Sequence, residues 1–440
     1  MQLDIVIIGA GLGGLSAAIC LARKGHKVKV LERNAGLSEY GAGIQLSPNA
    51  TRILDSWGLS SEFREYCNLP AWSVARRYND NAKIGMSSQN PDASEIYGYP
   101  YWQIYRPDCQ RILADGVRKA GATIEYSSEL QKVDAEQGKV HLMDGRTIEA
   151  DLVVGADGIR SKTRGFIIGN EKIEPVPLGE FNYRAMIPAE AMLRDEDTAK
   201  LMASTETHAW FGPGRFIVGY AISNNRFFNL AMVSPRDDDT PVTSWNQPGD
   251  IEELRAEFST FNPLVRKLTD FVEKCAKWTI AEIPELSTWS SRSGRTVLLG
   301  DAAHAMSPHA AQGAAMAMED AAVLGELLSR LNSLDDLPCL AGLYERLRKP
   351  RVARVATIAK DNGSSWMLPD GPEQVARDDR FRKVTDDYMR GLREVGRELM
   401  VAKLRVPADM DARWPQPAVM MWLYGYDASE AIQGSENSKW

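Results

Sequence analysis

The chain opens on a short apolar run whose pattern predicts a buried parallel strand. Residues 3–8 are mostly apolar and rich in β-branched side chains, and the run ends at Gly9. Residues 14–24 then resemble a helix with small side chains on one side, and Lys27–Leu31 returns to the strand pattern. A strand, a helix and a strand of these lengths are typical of a mononucleotide-binding β-α-β unit.

Further strands of the same kind are predicted much later in the chain. Residues 151–157 and 296–301 are apolar runs that end in Gly/Asp turns. Between them, residues 216–222 and 227–233 are strand-like and are separated by Ser-Asn-Asn-Arg, which indicates a hairpin in an antiparallel sheet. The pattern also predicts helices at residues 314–333 and 340–362.

Composition places the chain among ordinary globular proteins. Its 440 residues are 44% hydrophobic and 25% charged, and they suffice for two or three domains. The net charge of -7 argues against a nucleic-acid partner, which requires a basic surface. Five scattered cysteines without a CxxC pair predict a reducing compartment, and the spacing of the five histidines predicts no metal site. No secretory signal or apolar membrane span is recognised, so we expect a cytoplasmic protein.

The first chemical motif is Gly9-x-Gly11-x-x-Gly14 followed by Glu32. Gly9 permits a tight turn, Gly11 lets the backbone approach a pyrophosphate, and Gly14 lets helix and strand pack closely. Glu32 ends the second strand, where a carboxylate can bind both ribose hydroxyls of an adenosine. Because this carboxylate would repel a 2'-phosphate, NADP is a poor ligand for this position.

Two more motifs follow predicted strands. One is Asp157-Gly158-Ile159-Arg160-Ser161, and the other runs from Gly300-Asp301 through His304 to Gln312-Gly313-Ala314. Ligands of parallel sheets bind at the carboxyl ends of the strands. Asp301 can therefore accept hydrogen bonds from a sugar hydroxyl, and a helix that begins near Gly313 can direct its positive dipole end at an anion.

These three motifs, in this order, resemble the single-component (class A) flavoprotein aromatic hydroxylases, and most of all the salicylate-hydroxylase-like FAD monooxygenases common in fungi. The resemblance extends to residues 422–427, with Cys109 where the family usually has Leu. It implies that FAD is bound by Gly9, Gly11, Gly14, Glu32, Arg33, Ala42, Gly43, Arg106, Asp157, Asp301, Pro308, Gly313 and Ala314.

The resemblance also implies a fold and its division. We expect an α/β protein with an α+β insert: a Rossmann-like FAD-binding domain, an inserted and mostly antiparallel β-sheet substrate domain, and C-terminal helices. The predicted FAD-binding domain comprises residues 1–72, 102–172 and 289–365. The predicted substrate-binding domain comprises residues 73–101 and 173–288, and residues 366–440 form the C-terminal helical region.

The reaction implied by the resemblance is hydroxylation of a phenolic or aromatic-acid substrate, with decarboxylation or dearomatisation as variants. NADH or NADPH reduces FAD, O2 forms a flavin C4a-hydroperoxide, and the distal oxygen is transferred to the ring. A second Gly-x-Gly-x-x-Gly unit is not present in the sequence, which agrees with transient nicotinamide binding in this family. Neither the nicotinamide nor the oligomeric state follows from the sequence.

Related hydroxylases often carry His-x-x-x-Tyr after Gly-Pro-Gly-Arg. Here Tyr220 is retained but Phe216 replaces the histidine, and the two side chains are expected on one face of a strand. The predicted catalytic residues are therefore Arg184, Tyr220 and His208, and the predicted substrate contacts are Gln45, Phe216 and His309.

Other interpretations stay open at this stage. The alternatives for the catalytic set are Arg184 as a surface ion-pair partner, Tyr220 as core packing, and His208 as a solvent-facing or structurally bonded residue. For the whole chain, the alternatives are an FAD-dependent oxidoreductase or cyclase acting on a non-aromatic substrate, and a non-catalytic FAD-binding protein.

Overall fold

A computed structural model describes residues 1–37, 41–169, 173–236, 246–404 and 417–437. The predicted C-terminal region at residues 366–440 therefore lies partly outside the described residues. Within those ranges, no helix combines the length and apolar character that crossing a bilayer requires. The same ranges contain no group of three His, Cys, Asp or Glu side chains placed to bind a metal ion.

The strands in chain order are β1 Asp4–Ile8, β2 Lys27–Leu31, β3 Gly43–Leu46, β4 Trp72–Arg77, β5 Lys83–Ser88, β6 Trp102–Tyr105, β7 Thr123–Glu125, β8 Leu130–Asp134, β9 Lys139–Leu142, β10 Thr147–Glu149, β11 Leu152–Gly155, β12 Val176–Pro188, β13 Glu206–Gly212, β14 Arg215–Ile222, β15 Phe227–Pro235, β16 Asn246–Pro248, β17 Cys275–Glu282 and β18 Thr296–Leu298.

The α-helices are α1 Leu12–Arg23, α2 Pro48–Ser56, α3 Ser60–Arg64, α4 Asp92–Tyr97, α5 Arg106–Lys119, α6 Lys162–Ile168, α7 Ala189–Met192, α8 Glu196–Ala203, α9 Ile251–Glu257, α10 Pro263–Asp270, α11 Asp301–His304, α12 Gly313–Leu328, α13 Leu337–Trp366, α14 Pro372–Leu404, α15 Pro417–Tyr424 and α16 Ala428–Asn437. Two short 3-10 turns lie at Pro308–Ala310 and Leu334–Asp336.

The first sheet is a five-stranded parallel sheet in the order β18-β11-β1-β2-β7. Its central strands pair in register, for example Val6 with Val153 and Val154 with Val297. Because helices and further chain cover both faces, the strands are continuous apolar runs. The prediction that strands late in the chain complete the N-terminal sheet is confirmed.

The second large sheet has eight strands in the order β16-β17-β12-β15-β14-β13-β4-β5. It is antiparallel except where β13 pairs with β4. The predicted hairpin is present as β14 and β15, and its turn uses left-handed backbone at Ser223, Asn224 and Asn225 (φ 55°, 55° and 60°), a conformation that asparagine tolerates better than most residues. A small three-stranded sheet, β8 to β10, and the pair β3–β6 complete the β structure.

The eight-stranded sheet has two chemically different faces. Its outer face packs on α7–α10 and contributes Trp210, Ile217 and Phe228 to an apolar cluster. Its inner face is turned toward the flavin-motif segments and carries Phe216, Tyr220 and Arg184. Side chains alternate along each strand, so the register between strands decides which residues share a face.

Candidate active site

The N-terminal glycine turn is built for close backbone approach. Gly9 has φ 105°, and a Cβ there would lie 2.5 Å from the carbonyl oxygen of Ala156. A Cβ on Gly14 would overlap the carbonyl oxygen of Gly9, so Gly14 permits the helix to pack on the strand. At Gly11 no described atom lies within 4 Å of the Cβ position, which leaves the N-terminus of α1 open to a phosphate.

Glu32 lies beside this turn at the end of β2. Its Oε2 accepts a hydrogen bond from the amide of Ala10 at 2.9 Å, and its Oε1 accepts one from the amide of Asn34 at 2.9 Å. Each oxygen retains a lone pair, so the oriented carboxylate can also accept ribose hydroxyls. Arg33, predicted as a cofactor contact, is an exposed neighbour on the same turn.

Asp157 holds the turn after β11 together. One of its oxygens accepts from Ser161 Oγ at 2.6 Å, and the other accepts from the amide and the hydroxyl of Thr163, both at 3.0 Å. Arg164, which the sequence analysis did not select, is buried and donates to the carbonyl of Ala302 at 2.9 Å. The Asp157 motif is therefore connected directly to the loop that carries Asp301.

Asp301 begins α11. The preceding residue, Gly300, has a φ of 62°, a positive value that residues other than glycine rarely adopt. The Asp301 side chain is accessible from a recess between the two large sheets, yet protein surrounds it closely enough that burial raises its pKa. The charges of His304 and Arg106 act in the opposite direction. This position suits a carboxylate that binds a hydroxyl-bearing ligand within the recess.

A buried network of charged side chains holds the loop at Gly300 and Asp301 in place. Asp320 Oδ2 accepts from the amide of Gly300 at 3.0 Å and lies 2.6 Å from His304 Nε2. Arg348 Nε donates to Asp320 at 2.7 Å, and its Nη1 donates to Glu319 at 2.7 Å. Burial alone would raise the pKa of Asp320, but the charges of His304 and Arg348 outweigh burial and hold it at about 2.

The N-terminus of α12 faces the same recess. A Cβ at Gly313 would meet no described atom within 4 Å, and Gly313 and Ala314 are both half-exposed. Just before the helix, Gln312 donates to Ser47 Oγ at 2.9 Å and accepts from Asn49 at 3.0 Å. Pro308 is exposed on the preceding 3-10 turn. The open amides and the positive dipole end of α12 suit the anionic edge of a reduced flavin.

Strand β3 lies beside the recess and covers part of the inner face of the sheet. The amide of Arg106 donates to the carbonyl of Ala42 at 3.0 Å, and the amide of Gly43 donates to Asn229 Oδ1 at 2.7 Å. A Cβ on Gly43 would lie 2.8 to 2.9 Å from atoms of Tyr220 and Asn229. Glycine is thus required here because β3 packs directly on these two side chains.

Arg184 occupies the accessible part of the inner face. It lies opposite Ala231, which lies opposite Val218, and all three are half-buried. Burial lowers the pKa of the Arg184 guanidinium, Tyr220 opposes this, and the charge of Arg106 lowers it further. Arg106 acts electrostatically on both Arg184 and Asp301, so the start of α5 lies near the inner face and near the Asp301 loop.

Tyr220 is on the same face, next to Asn229, as predicted from its spacing to Phe216. It is only 3% exposed, since β3 covers it, and burial raises its pKa. Gln45, by contrast, is half-exposed, and it accepts a hydrogen bond from the hydroxyl of Tyr101 at 2.8 Å.

Phe216 and His309 contact each other beneath the inner face of the sheet. Their rings contact edge to face at 5.1 Å, and both are buried. His309 Nε2 lies 3.1 Å from Glu180 Oε2, and Asn362 donates to the His309 carbonyl at 3.1 Å. A Cβ on Gly363 would overlap the His309 ring. The two predicted substrate contacts, Phe216 and His309, are therefore buried beneath the surface of the recess and are not part of its accessible lining.

His208 is not brought to the recess. It pairs with Gly219 and therefore lies on the outer face, opposite to Tyr220. There its ring stacks on Trp210 at 5.7 Å and its Nε2 lies 2.9 Å from Ser204 Oγ. Burial lowers the His208 pKa to about 3. We therefore correct the predicted catalytic set by removing His208.

Taken together, the residues present fit FAD. The uncovered amides near Gly11 and Gly313, the oriented Glu32 carboxylate and the Asp301 carboxylate in the recess supply the phosphate, ribose and ring-edge contacts that such a dinucleotide needs.

Comparison with known proteins decides the family. The family described as FAD binding domain matches residues 2–359. The chain belongs to this family. It is 33% identical to the FAD-dependent monooxygenase OpS4 of Beauveria bassiana over 429 residues, which covers 97% of this chain and 95% of that protein.

A second relative is the 3-amino-4-hydroxybenzoate 2-monooxygenase PtmB3 of Streptomyces platensis, which is 33% identical over 378 residues and covers 85% of this chain and 91% of that protein. Among solved structures, a salicylate hydroxylase substrate complex superposes with a TM-score of 0.76 at 21% identity, covering 98% of this chain and 97% of the other. The predicted fold, FAD as the cofactor and the class of FAD-dependent monooxygenases are confirmed.

Several residues that build the site of this monooxygenase were not identified from the sequence. They are Asn229, Arg348 and Arg351, together with the buried Arg164 and the half-buried Glu180. The nearest available signal was the pair Glu319-Asp320, because two adjacent acids flanked on both sides by apolar residues of one helix require buried cationic partners.

Proposed function

We propose that this FAD-dependent monooxygenase hydroxylates a phenolic or aromatic-acid ring, with NADH or NADPH as electron donor and O2 as co-substrate. The observation that supports this most directly is the shared recess. Arg106 at the start of α5 is close enough to Arg184 on the inner face and to Asp301 on the flavin loop for its charge to influence the pKa of each.

The inner face of the sheet offers side chains that suit an aromatic ring. Ala231 and Val218 are small and apolar, and they lie in one row with Arg184. We assign the ring to the apolar part of this row and its anionic oxygen to Arg184. An arginine guanidinium lowers the pKa of a nearby phenol, and it binds a carboxylate through two hydrogen bonds.

Bound FAD supplies the electrons and the activated oxygen in this family. The protein's part is to hold the substrate as its reactive anion and to exclude water. Arg184 stabilises the anion. Because burial keeps Tyr220 protonated, its hydroxyl is available as a hydrogen-bond donor beside β3.

The names of the relatives support an aromatic substrate: PtmB3 is a 3-amino-4-hydroxybenzoate 2-monooxygenase, and the solved structure is of a salicylate hydroxylase. Hydroxylation with loss of carboxylate, or with loss of aromaticity, agrees equally with an anion at Arg184. A cytoplasmic location stays a prediction.

The test is oxidation of NADH and of NADPH by the FAD-loaded protein with a panel of phenols and hydroxybenzoates, with products identified by mass. At least one substrate should stimulate oxygen-dependent oxidation and gain one oxygen atom. A protein that takes up FAD but responds to no member of the panel would contradict the proposal.

Arg184→Met should lower kcat/KM about 10- to 100-fold, the worth of a hydrogen bond to a charged group, without loss of FAD. The matched control is Arg215→Met, because Arg215 is on the same sheet but pairs with Glu257 at 2.9 Å on the outer side. Equal effects of the two substitutions would show that Arg184 has no specific role.

A further inference from the structure

Arg184 has an unusual set of neighbours for an arginine inside the protein. Arg348, by comparison, contacts two buried carboxylates, each at 2.7 Å. No carboxylate of the described residues pairs with Arg184, and the titratable groups that act on its pKa are Tyr220 and Arg106. A guanidinium that is withdrawn from water without a counter-charge is costly, so this position favours an anionic ligand.

The side chain that contacts Arg184 is Asn182, two residues earlier on β12. Side chains alternate along a strand, so both residues lie on the inner face. Asn182 is 4% exposed, and one orientation satisfies both ends of its amide. Its Oδ1 then accepts from Arg184 Nε at 3.1 Å, and its Nδ2 donates to the carbonyl of Tyr183 at 3.1 Å. The opposite orientation would place oxygen against oxygen, so these hydrogen bonds determine how the amide is placed.

This hydrogen bond leaves the terminal edge of the guanidinium for a ligand. An arginine offers five N–H groups, one on Nε and two on each terminal nitrogen. Asn182 accepts from Nε, and no described residue accepts from Nη1 or Nη2. Arg184 is half-buried, and its terminal nitrogens are not among the fully buried atoms. Two parallel N–H groups on this edge match the two oxygens of a carboxylate.

The neutrality of Asn182 matters as much as its oxygen. A carboxylate at this position would accept the same hydrogen bond, but it would also neutralise Arg184 before a substrate arrives. Asparagine orients the guanidinium and leaves its full charge for the ligand. Because Ala231 and Val218 continue the row from Arg184, a ring bound through its anion can lie on apolar side chains.

We propose that Asn182 is a positioning residue that favours anionic substrates by orienting Arg184. It holds Nε, so that the terminal N–H groups face the recess and bind the oxygens of an aryl carboxylate or the oxygen of a phenolate. Asn182 itself touches no substrate. This role rests on the proposed function in one respect, the binding of the substrate anion by Arg184, and the experiment separates the two.

The test measures binding rather than turnover, with 4-fluorobenzoate as the anionic probe and 4-fluorobenzamide as its neutral isostere. Fluorine NMR of each probe follows titration with the FAD-loaded protein at pH 7 and constant ionic strength. The wild-type protein should bind 4-fluorobenzoate with a Kd on the order of 1 mM, and 4-fluorobenzamide at least about tenfold more weakly, because the amide has no charge and one acceptor. Arg184→Met should remove this preference.

Two substitutions of Asn182 separate orientation from charge. Asn182→Leu keeps most of the volume but removes the acceptor. Binding of 4-fluorobenzoate should weaken about 5- to 10-fold, and binding of 4-fluorobenzamide less than about twofold. Asn182→Asp keeps the acceptor but neutralises the guanidinium, so 4-fluorobenzoate should bind at least about tenfold more weakly. This second variant also serves if Asn182→Leu does not fold, and retained FAD absorbance shows that a variant is folded.

The matched control is Asn262→Leu. Asn262 is a buried asparagine at the start of α10, on the outer side of the same sheet, and its side chain donates to the carbonyl of Tyr78 at 2.9 Å. Its replacement should lower the free energy of unfolding without changing the preference for 4-fluorobenzoate. A purely structural role of Asn182 would give this same pattern and would therefore contradict the proposal.

The remaining outcomes distinguish the two proposals. If the wild type shows no preference for 4-fluorobenzoate, or if Arg184→Met leaves the preference unchanged, the substrate anion is not bound by Arg184, and the proposed function and the role of Asn182 both fail. If Arg184→Met removes the preference but a folded Asn182→Leu or Asn182→Asp variant binds 4-fluorobenzoate like the wild type, the role of Asn182 alone is overturned.

Discussion

Replacement of Arg348 by Met tests whether the buried charge network supports the flavin site. Arg348 has no exposed surface, and its guanidinium contacts Asp320 and Glu319, each at 2.7 Å, and the carbonyl of Met316 at 3.3 Å. Methionine fills much of the same volume without a charge. The substitution therefore leaves two fully buried carboxylates with fewer cations, and it removes little packing.

The expected cost follows from those contacts. Removing one partner of a buried ion pair destabilises a protein by about 3 to 5 kcal/mol, because the remaining charge stays in a poorly solvating environment. Arg351 still contacts Glu319 at 2.6 and 2.8 Å, so Asp320 suffers most. Since Asp320 also holds the amide of Gly300 and His304, we expect weaker FAD binding as well.

Urea unfolding followed by circular dichroism measures the free energy of unfolding, and flavin fluorescence reports FAD release. The double variant Arg348→Met/Asp320→Asn should recover part of the loss, because it removes the carboxylate left without its partner. A loss below about 1 kcal/mol for Arg348→Met, with unchanged FAD affinity, would refute the network as the support of the Asp301 loop.

Three further outcomes follow from the geometry. Gly11→Val should keep the fold but weaken FAD binding at least about tenfold, whereas Gly14→Val should prevent folding, as thermal unfolding with and without FAD will show. Because the His208 pKa is lowered to about 3, it should reduce stability by up to about 1.4 kcal/mol per pH unit as pH drops below 6.5; His208→Phe should remove this contribution in urea titrations without altering hydroxylation, and the contribution of His26, whose pKa burial also lowers, should remain. Gly363→Ala should destabilise the protein by displacing His309, and combining it with His309→Ala should cost less than the sum of the two, as a double-mutant cycle measures.

The nucleotide-binding unit could be predicted because its determinants are local. The strand periodicity, the three glycines and the acid all lie within residues 4–32, and the structure reproduces this unit with shifts of one or two residues at the ends of its elements. The roles of Arg348 and Arg351 could not be predicted in this way. They come from a separate helix, and no spacing in the sequence connects them to Glu319.

His208 shows a different kind of error. Its distance from Phe216 in the chain indicated nothing about the face on which it lies. The tight turn at Pro213 and Gly214 pairs Gly212 with Arg215, however, and this register places His208 opposite Gly219. The alternation of side chains then puts it on the face away from Tyr220. That inference was available from the turn, whereas the burial of Tyr220 beneath Gly43 depended on packing between segments far apart in sequence.

The edge position of β18 in the five-stranded sheet has a consequence for how the chain folds during synthesis. Thr296 pairs with Val153, so the first sheet gains its last strand only after the whole eight-stranded sheet has been translated. At about 5 to 20 residues per second, roughly 7 to 28 seconds pass between the synthesis of β11 and that of β18, and during this time the edge of the nascent sheet is open. Unpaired strand edges are where aggregation begins. Slow completion of this sheet, rather than the stability of the finished protein, is therefore the step at which chaperones or lower temperature should most improve its yield.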